Sequence, residues 1–263
     1  MNIGIVGCGI VGGACRFGFE KLGHNVTVHD PKLDTNLSIV LTTDIVYICV
    51  PTPMKDDGSC CTSIVESVID GLQNLNYAGV VAIKSTIPPG TTQRLRRGCF
   101  KDLAFVPEFL RERCAISDFV EHQKLLAVGT DQKSTYDLIV NCHGHFPQSH
   151  IQLTPTQAEI LKYYHNTLNA LRVVFANEFY EIASFFNEDY SPIKNALLKT
   201  SNLPDIYLDV NQNMRGYSSI CWNKDIPALI SLCKKNNIEV PLIETIPNAN
   251  NNYKKTPFKG TRE

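Results

Sequence analysis

Short, nearly unbroken apolar runs recur through the first half of the chain, at residues 3–6, 26–29, 45–50, 80–83, 104–106 and 125–128. They are rich in β-branched residues and lack polar alternation, which predicts strands buried on both faces, as in a parallel sheet. Between them, residues 10–22, 63–72 and 134–142 space their apolar positions as helices do. That order predicts a doubly wound α/β unit. The link from Asp30 to Asp44 is short for a full helical crossover, so a trimmed unit or a loop is expected there. After about Thr154 the pattern changes. Thr154-Pro155-Thr156 looks like a helix start with proline in the first turn. A run rich in Leu, Phe, Ala and Tyr then continues to about Phe186 without Gly or Pro. It predicts a spine helix carrying an all-helical region, to which residues 190–200 and 225–236 add helices. The expected organisation is 1–153, then 154–252, then a polar tail at 253–263, with fraying from about Asn248.

Charge and composition narrow the function. A net charge of -1 gives no general attraction to nucleic acid or anionic lipid, so any phosphate must be held locally. No stretch approaches the roughly 18 apolar residues of a membrane helix, and the opening run is too short for a signal segment. Ten scattered cysteines suit reduced thiols better than a disulfide framework. A soluble cytoplasmic protein without nucleic-acid or membrane partners is expected. Cys142-His143-Gly144-His145 with His150 offers zinc-type donors at no standard spacing, so no metal is expected. Lys21, Arg94, Arg96 and Arg97 read as solvated helix faces.

Gly7-Cys8-Gly9-Ile10-Val11-Gly12 follows an expected strand and opens an expected helix. The first glycine permits a tight turn, the second lets backbone approach a pyrophosphate, and the third lets helix and strand pack closely. The helix N-terminus supplies free N–H groups to the anion. Asp30 ends the second strand, where a carboxylate bonds ribose hydroxyls and repels a 2′-phosphate, favouring NAD over NADP. A bare glycine turn or an FAD site are the alternatives.

Further segments stand in order along the chain. They are Ile48-Cys49-Val50-Pro51-Thr52-Pro53, Lys84-Ser85-Thr86-Ile87-Pro88-Pro89-Gly90-Thr91, Pro107-Glu108-Phe109-Leu110-Arg111-Glu112, Lys162-Tyr163-Tyr164-His165-Asn166 and Cys221-Trp222-Asn223-Lys224-Asp225. Together they resemble the signature of the UDP-glucose/GDP-mannose dehydrogenase family. Two features depart from its pattern: Gly216-Tyr217-Ser218-Ser219-Ile220-Cys221 replaces a more glycine-rich approach to the cysteine, and Val106 replaces an asparagine. The family also carries a C-terminal nucleotide-holding domain, whereas this sequence stops soon after residues 241–251, which resemble the linking helix. A short form is therefore expected.

The resemblance implies a Rossmann domain and oxidation of a nucleotide sugar, UDP-glucose by default. An alcohol becomes an acid through an aldehyde, and a thiolate holds that aldehyde as a thiohemiacetal and then a thioester. It implies Cys221 as nucleophile. Lys162 and Asn166, spaced i,i+4 on one helix face, would stabilise oxyanions. Asp225 would work with Lys162 on the alcohol proton, although Ile226-Pro227-Ala228 also makes it a candidate helix cap or first-turn acid. Thr86 and Glu108 would orient and deprotonate water, with Glu112 a nearby acid; otherwise the two glutamates are surface carboxylates on one helical turn. Ile10, Val11, Val50, Pro51, Thr52 and Thr86 join Gly7, Gly9, Gly12 and Asp30 at the cofactor. Phe109, Leu110, Gly216 and Lys224 join Lys162 and Asn166 at the substrate. A homodimer through the long helix is implied as well. The competing functions are an NAD-binding homologue with little turnover and an enzyme completed by a separate C-terminal domain.

Overall fold

A computed structural model describes residues 1–96, 102–201 and 203–253. Its elements run β1 (Asn2–Val6), α1 (Ile10–Lys21), β2 (Asn25–His29), β3 (Ile45–Ile48), α2 (Ser63–Asn74), β4 (Val80–Ile83), α3 (Thr91–Arg96) and β5 (Leu103–Phe105). They continue with α4 (Ala115–Val120), β6 (Leu126–Gly129), α5 (Lys133–His143), β7 (His150–Leu153), α6 (Pro155–Phe185), α7 (Tyr190–Ser201), α8 (Ile220–Lys235) and α9 (Pro241–Asn251).

The seven strands form one sheet in the order β2-β1-β3-β4-β5-β6-β7. Parallel register sets Ile3 beside Val26 and Ile45, and Ile45 beside Val80. Side chains alternate between the two faces, as strand geometry requires. Ile3, Ile5, Ile45, Tyr47, Ala82 and Ala104 share one apolar cluster with Ala14, Cys15 and Phe19 of α1. Val6, Val46, Ile48, Val81, Ile83 and Phe105 share the other with Val65, Ile69 and Leu72 of α2. Helices on both faces explain why the strands read as unbroken apolar runs.

The short Asp30–Asp44 link holds two 3-10 turns, Pro31–Leu33 and Leu37–Val40, in place of a crossover helix. Two strands, β6 and β7, depart from the expected all-parallel sheet: β6 meets β5 antiparallel, with Phe105 opposite Gly129. The link between β5 and β6 holds a 3-10 turn, Glu112–Cys114, and the six-residue α4. β7 then pairs parallel to β6.

The chain divides into two compact units, residues 1–55 with 60–162, and 56–59 with 163–263. The 31-residue α6, about 46 Å long, gives its first turns to the former and the remainder to the latter. The second unit's cores join Ala170, Val173 and Val174 to Trp222, Ile226 and Ile246, and Ala176 and Ala183 to Tyr190 and Leu208. Helix α8 starts at Ile220, earlier than expected, and α9 makes residues 248–251 helical instead of frayed. Arg94 pairs with Glu66 at 2.5 Å and Arg96 with Asp131 at 2.6 Å, while Lys21 is solvated. Arg97 and residues 254–263 of the expected tail lie outside the described residues.

Candidate functional site

The glycine loop joins β1 to α1. Gly7 has φ +92°, and a Cβ there would stand 2.7 Å from the Cys49 carbonyl oxygen. At Gly12 a Cβ would stand 1.9 Å from the Gly7 oxygen, so helix and loop touch backbone to backbone. A Cβ on Gly9, the residue capping α1, would meet nothing within 4 Å. Open space therefore lies at the helix's positive end, where a pyrophosphate would be held by backbone N–H groups. Ile10 is exposed and Val11 half-buried in that first turn. Asp30 accepts the Cys8 N–H at 2.7 Å and the Lys32 N–H at 2.9 Å. These donors, the first above all, hold its carboxyl below the usual range and keep it anionic. The residues present fit a dinucleotide with an unphosphorylated ribose.

The carboxyl ends of β3, β4 and β5 carry the next group. The Val50 carbonyl accepts the Ser85 hydroxyl at 2.7 Å; Pro51 is exposed, Thr52 and Thr86 are buried. The Thr86 carbonyl accepts the Cys60 thiol at 3.7 Å. After β5 the loop turns Glu108 inward. Lys162 Nζ donates to Glu108 Oε1 at 2.8 Å and to its backbone oxygen at 2.6 Å, and Leu110 N–H donates to Oε2 at 2.8 Å. The side chains of Lys162 and Glu108 are only 5% and 10% exposed. Burial pushes the Glu108 carboxyl up, but Lys162, the Leu110 N–H and Lys84 outweigh it, and the group sits below the usual range. Lys162 Nζ also lies 5.8 Å from the Phe109 ring centre, and Leu110 packs on the core. Glu112 is exposed at the start of a 3-10 turn. Glu108 and Glu112 are thus not two surface acids on one turn.

In the second unit, Asn166 Nδ2 donates to Asp225 Oδ2 at 2.8 Å and Lys224 Nζ to Asp225 Oδ1 at 2.6 Å. Asn166 and Asp225 are buried. Asp225 lies inside α8, so it is neither the cap nor a first-turn acid. Pro227 suggested a start nearby, but the helix begins seven residues before it and tolerates it internally. Ser219 is the cap, its hydroxyl accepting the N–H groups of Cys221 at 3.1 Å and Trp222 at 3.3 Å. Its presence gives the unusual Ser218-Ser219-Ile220 stretch a local role. Cys221 is exposed in the first turn, where the free end of a helix favours negative charge. Gly216 has φ +48°.

Two buried side chains were missed as positioning groups. Lys84 stands out in the sequence only as part of its motif; its ammonium lies 5.7 Å from the Tyr47 ring centre and 6.0 Å from that of Phe119. Glu159, one turn before Lys162, accepts the Gly90 N–H at 2.6 Å and the Thr92 N–H at 2.7 Å. An acid in the second turn of an otherwise apolar helix was its signal. Of the zinc-type donors, Cys142 and His143 are buried, with His143 Nδ1 on the Ile139 carbonyl, and His150 bonds the Tyr136 hydroxyl. Among the described residues no cluster of three His, Cys, Asp or Glu is placed to hold a metal, and no helix is long and apolar enough to cross a membrane. Among the described residues, Cys8, Cys15, Cys49, Cys61, Cys114, Cys142 and Cys233 are free thiols.

Comparison with known proteins joins these observations. The sequence model of the UDP-glucose/GDP-mannose dehydrogenase family, NAD binding domain, matches residues 32–146, and that of the family's central domain matches residues 156–252. A UDP-glucose 6-dehydrogenase of Rickettsia bellii is 26% identical over 95% of this chain and 67% of its own length. The fold is shared with a UDP-glucose dehydrogenase from Pyrobaculum islandicum at TM-score 0.86 and 23% identity, over 95% of this chain and 68% of that one. It is shared with a GDP-mannose dehydrogenase from Pseudomonas aeruginosa at TM-score 0.69 and 24% identity, over 96% and 69%. The chain spans about two thirds of the length of these relatives. With a glycine loop shaped for a dinucleotide and both family segments matched in order, the chain belongs to the UDP-glucose/GDP-mannose dehydrogenase family, and NAD is its cofactor.

Proposed function

We propose that the chain oxidises a nucleotide sugar, UDP-glucose to UDP-glucuronate, through a covalent intermediate on Cys221. The observation that carries this is Cys221 in the capped first turn of α8, one turn before a buried Asp225 bonded by Asn166 and Lys224. The capped helix end stabilises thiolate, the form that attacks an aldehyde carbon. Gly7, Gly9, Gly12 and Asp30, beside Val50, Pro51 and Thr52, would hold NAD, and two NAD molecules in succession would supply the hydride acceptors for the two oxidations.

Asp225, working with the Lys162 ammonium, takes the alcohol proton. Lys162 and Asn166 then stabilise the oxyanion formed when the Cys221 thiolate adds to the aldehyde. Glu108, anionic at neutral pH, accepts a proton from the water that hydrolyses the thioester, with Thr86 orienting that water. Hydrolysis returns the thiol. Phe109, Leu110, Gly216 and Lys224 line the substrate, and Glu112 serves as an outlying acid. Cytoplasmic residence suits the scattered spacing of the cysteines.

The partner is a second copy of this chain. Tyr164, Phe175, Phe179 and Ile182 expose an apolar stripe along α6, with the Phe175 and Phe179 rings tilted against each other at 4.9 Å. One such stripe is self-complementary about a two-fold axis.

The test is NADH formation by the purified chain over a panel of UDP- and GDP-sugars, with Cys221→Ala beside it. Expected is UDP-glucose-dependent NADH whose acid-forming stage is lost in the variant. Turnover unaffected by the substitution would sink the assigned chemistry. NAD binding without any sugar-dependent reduction would favour a homologue that retains the fold alone.

A further inference from the structure

The segment Arg215-Gly216-Tyr217, just ahead of the α8 cap, is gripped by two asparagines from different helices. Asn177 of α6 and Asn250 of α9 are 0% and 2% exposed. Buried amides are retained at a desolvation cost unless their donors and acceptors are met. Here all are met, and mostly by this one segment. Asn250 Oδ1 accepts the Tyr217 N–H at 2.8 Å while its Nδ2 donates to the Tyr217 carbonyl at 3.0 Å. One side chain thereby does for Tyr217 what a neighbouring strand would do. Asn177 Oδ1 accepts from Arg215 Nε at 2.7 Å and faces Gly216 N–H at 3.4 Å, and its Nδ2 is anchored on the Val173 carbonyl at 2.8 Å.

Gly216 fits between them only because it lacks a side chain. At φ +48° a Cβ would stand 2.9 Å from Asn250 Oδ1. Arg215 is fixed in turn, its guanidinium 4.6 Å from the Tyr180 ring centre and 5.3 Å from that of Tyr253, with Glu181 paired at its end. From Tyr217 the chain needs two residues to reach the cap, Ser219. The Tyr217 ring meanwhile packs at 5.5 Å on Trp222, the neighbour of Cys221. Little slack remains between the asparagines and the thiol.

We infer that Asn250 and Asn177 are positioning residues for Cys221, setting where α8 begins and therefore where its thiol stands. The inference rests on the proposed role of Cys221 for its catalytic consequence, but not for its geometric one. Helix α9, which contributes no reacting group, becomes part of the machinery through a single amide.

The test uses the full chain with Asn250→Asp, which keeps the acceptor for Tyr217 N–H and turns the donor into an oxygen facing the Tyr217 carbonyl. Asn177→Asp repeats the test from α6. Three readouts are taken: NAD affinity, kcat and KM for UDP-glucose, and the iodoacetamide alkylation rate of Cys221 followed on its peptide by mass spectrometry. Expected are NAD affinity within about twofold of the parent, kcat lower by about 10- to 100-fold with KM little changed, and at least a threefold change in Cys221 alkylation. The alkylation rate is defined whether or not the chain oxidises sugar. A change in it without parental turnover keeps the positioning role and discards the proposed reaction. Alkylation and kcat both within twofold of the parent, in folded variants, overturn the positioning role. Failure of both variants to fold overturns it as well, because the amides would then serve stability alone.

Discussion

Replacing Lys162 with methionine removes the cation from a carboxylate that the fold has taken out of water. Glu108 would then be buried with only the Leu110 N–H bonded to its side chain and the more distant Lys84 as charge. At 2.8 Å and an effective dielectric of about 20 the lost attraction is about 6 kcal/mol, an upper figure. Glu108 escapes part of that loss by taking up a proton. Holding a carboxyl of ordinary value 4.5 neutral at pH 7 costs about 1.36 kcal/mol per pH unit, or about 3.4 kcal/mol. That agrees with the roughly 3–5 kcal/mol seen on breaking buried pairs. The sign can be followed with pH. In the parent the folded carboxyl is depressed, so its stabilisation is present above about 4.5 and lost only as pH falls further. In Lys162→Met the carboxyl is raised, so the variant regains stability as pH falls from 7 towards 5. Urea denaturation of both proteins at pH 7 and pH 5.5 should show the gap narrowing by about 2 kcal/mol. Adding Glu108→Gln should recover much of the gap at pH 7. A gap below about 1 kcal/mol, or one independent of pH, would refute the buried-pair reasoning.

Three further outcomes are expected. Burial pushes the Glu159 carboxyl up despite the Thr92 and Gly90 N–H groups, so its folded value lies above its unfolded one. Parental stability relative to Glu159→Gln should therefore fall as pH rises through that folded value, by about 1.4 kcal/mol per unit of elevation, in chemical denaturation. Asp30→Ala should weaken NAD binding about 10-fold or more and raise the NADP-to-NAD affinity ratio, read by calorimetric titration. Phe179→Glu should move sedimentation equilibrium from dimer to monomer; an unchanged mass would remove α6 as the interface.

Much of the sheet was legible because a buried strand needs an unbroken apolar run, and Ile3 to Ile5 or Ile45 to Ile48 admit few other structures. Direction was not legible: the apolar run at residues 126–129 reads alike in either sense, and only its pairing with β5 shows which it takes. The start of α8 was misplaced because proline usually marks a first turn, whereas Pro227 lies inside the helix and Ser219 carries the cap. The turn and close packing of the glycine loop were readable, since Gly7 and Gly12 each have a local steric reason, whereas a Cβ on Gly9 meets nothing. The Lys162–Glu108 pair was named residue by residue through resemblance, but its contact spans 54 positions and no local pattern announces it. Asn177 and Asn250 look like ordinary polar positions on amphipathic helices. Only the backbone they meet gives them meaning.

The most direct measurement is mass spectrometry of the Cys221 peptide after acid quench, from Glu108→Gln protein incubated with NAD and UDP-glucose. Glutamine cannot take the proton of the hydrolytic water, so the thioester should accumulate as a UDP-glucuronyl mass on Cys221 and on no other cysteine. Steady formation of UDP-glucuronate by Cys221→Ala protein, with no adduct on Cys221 in the Glu108→Gln protein, would contradict the covalent route.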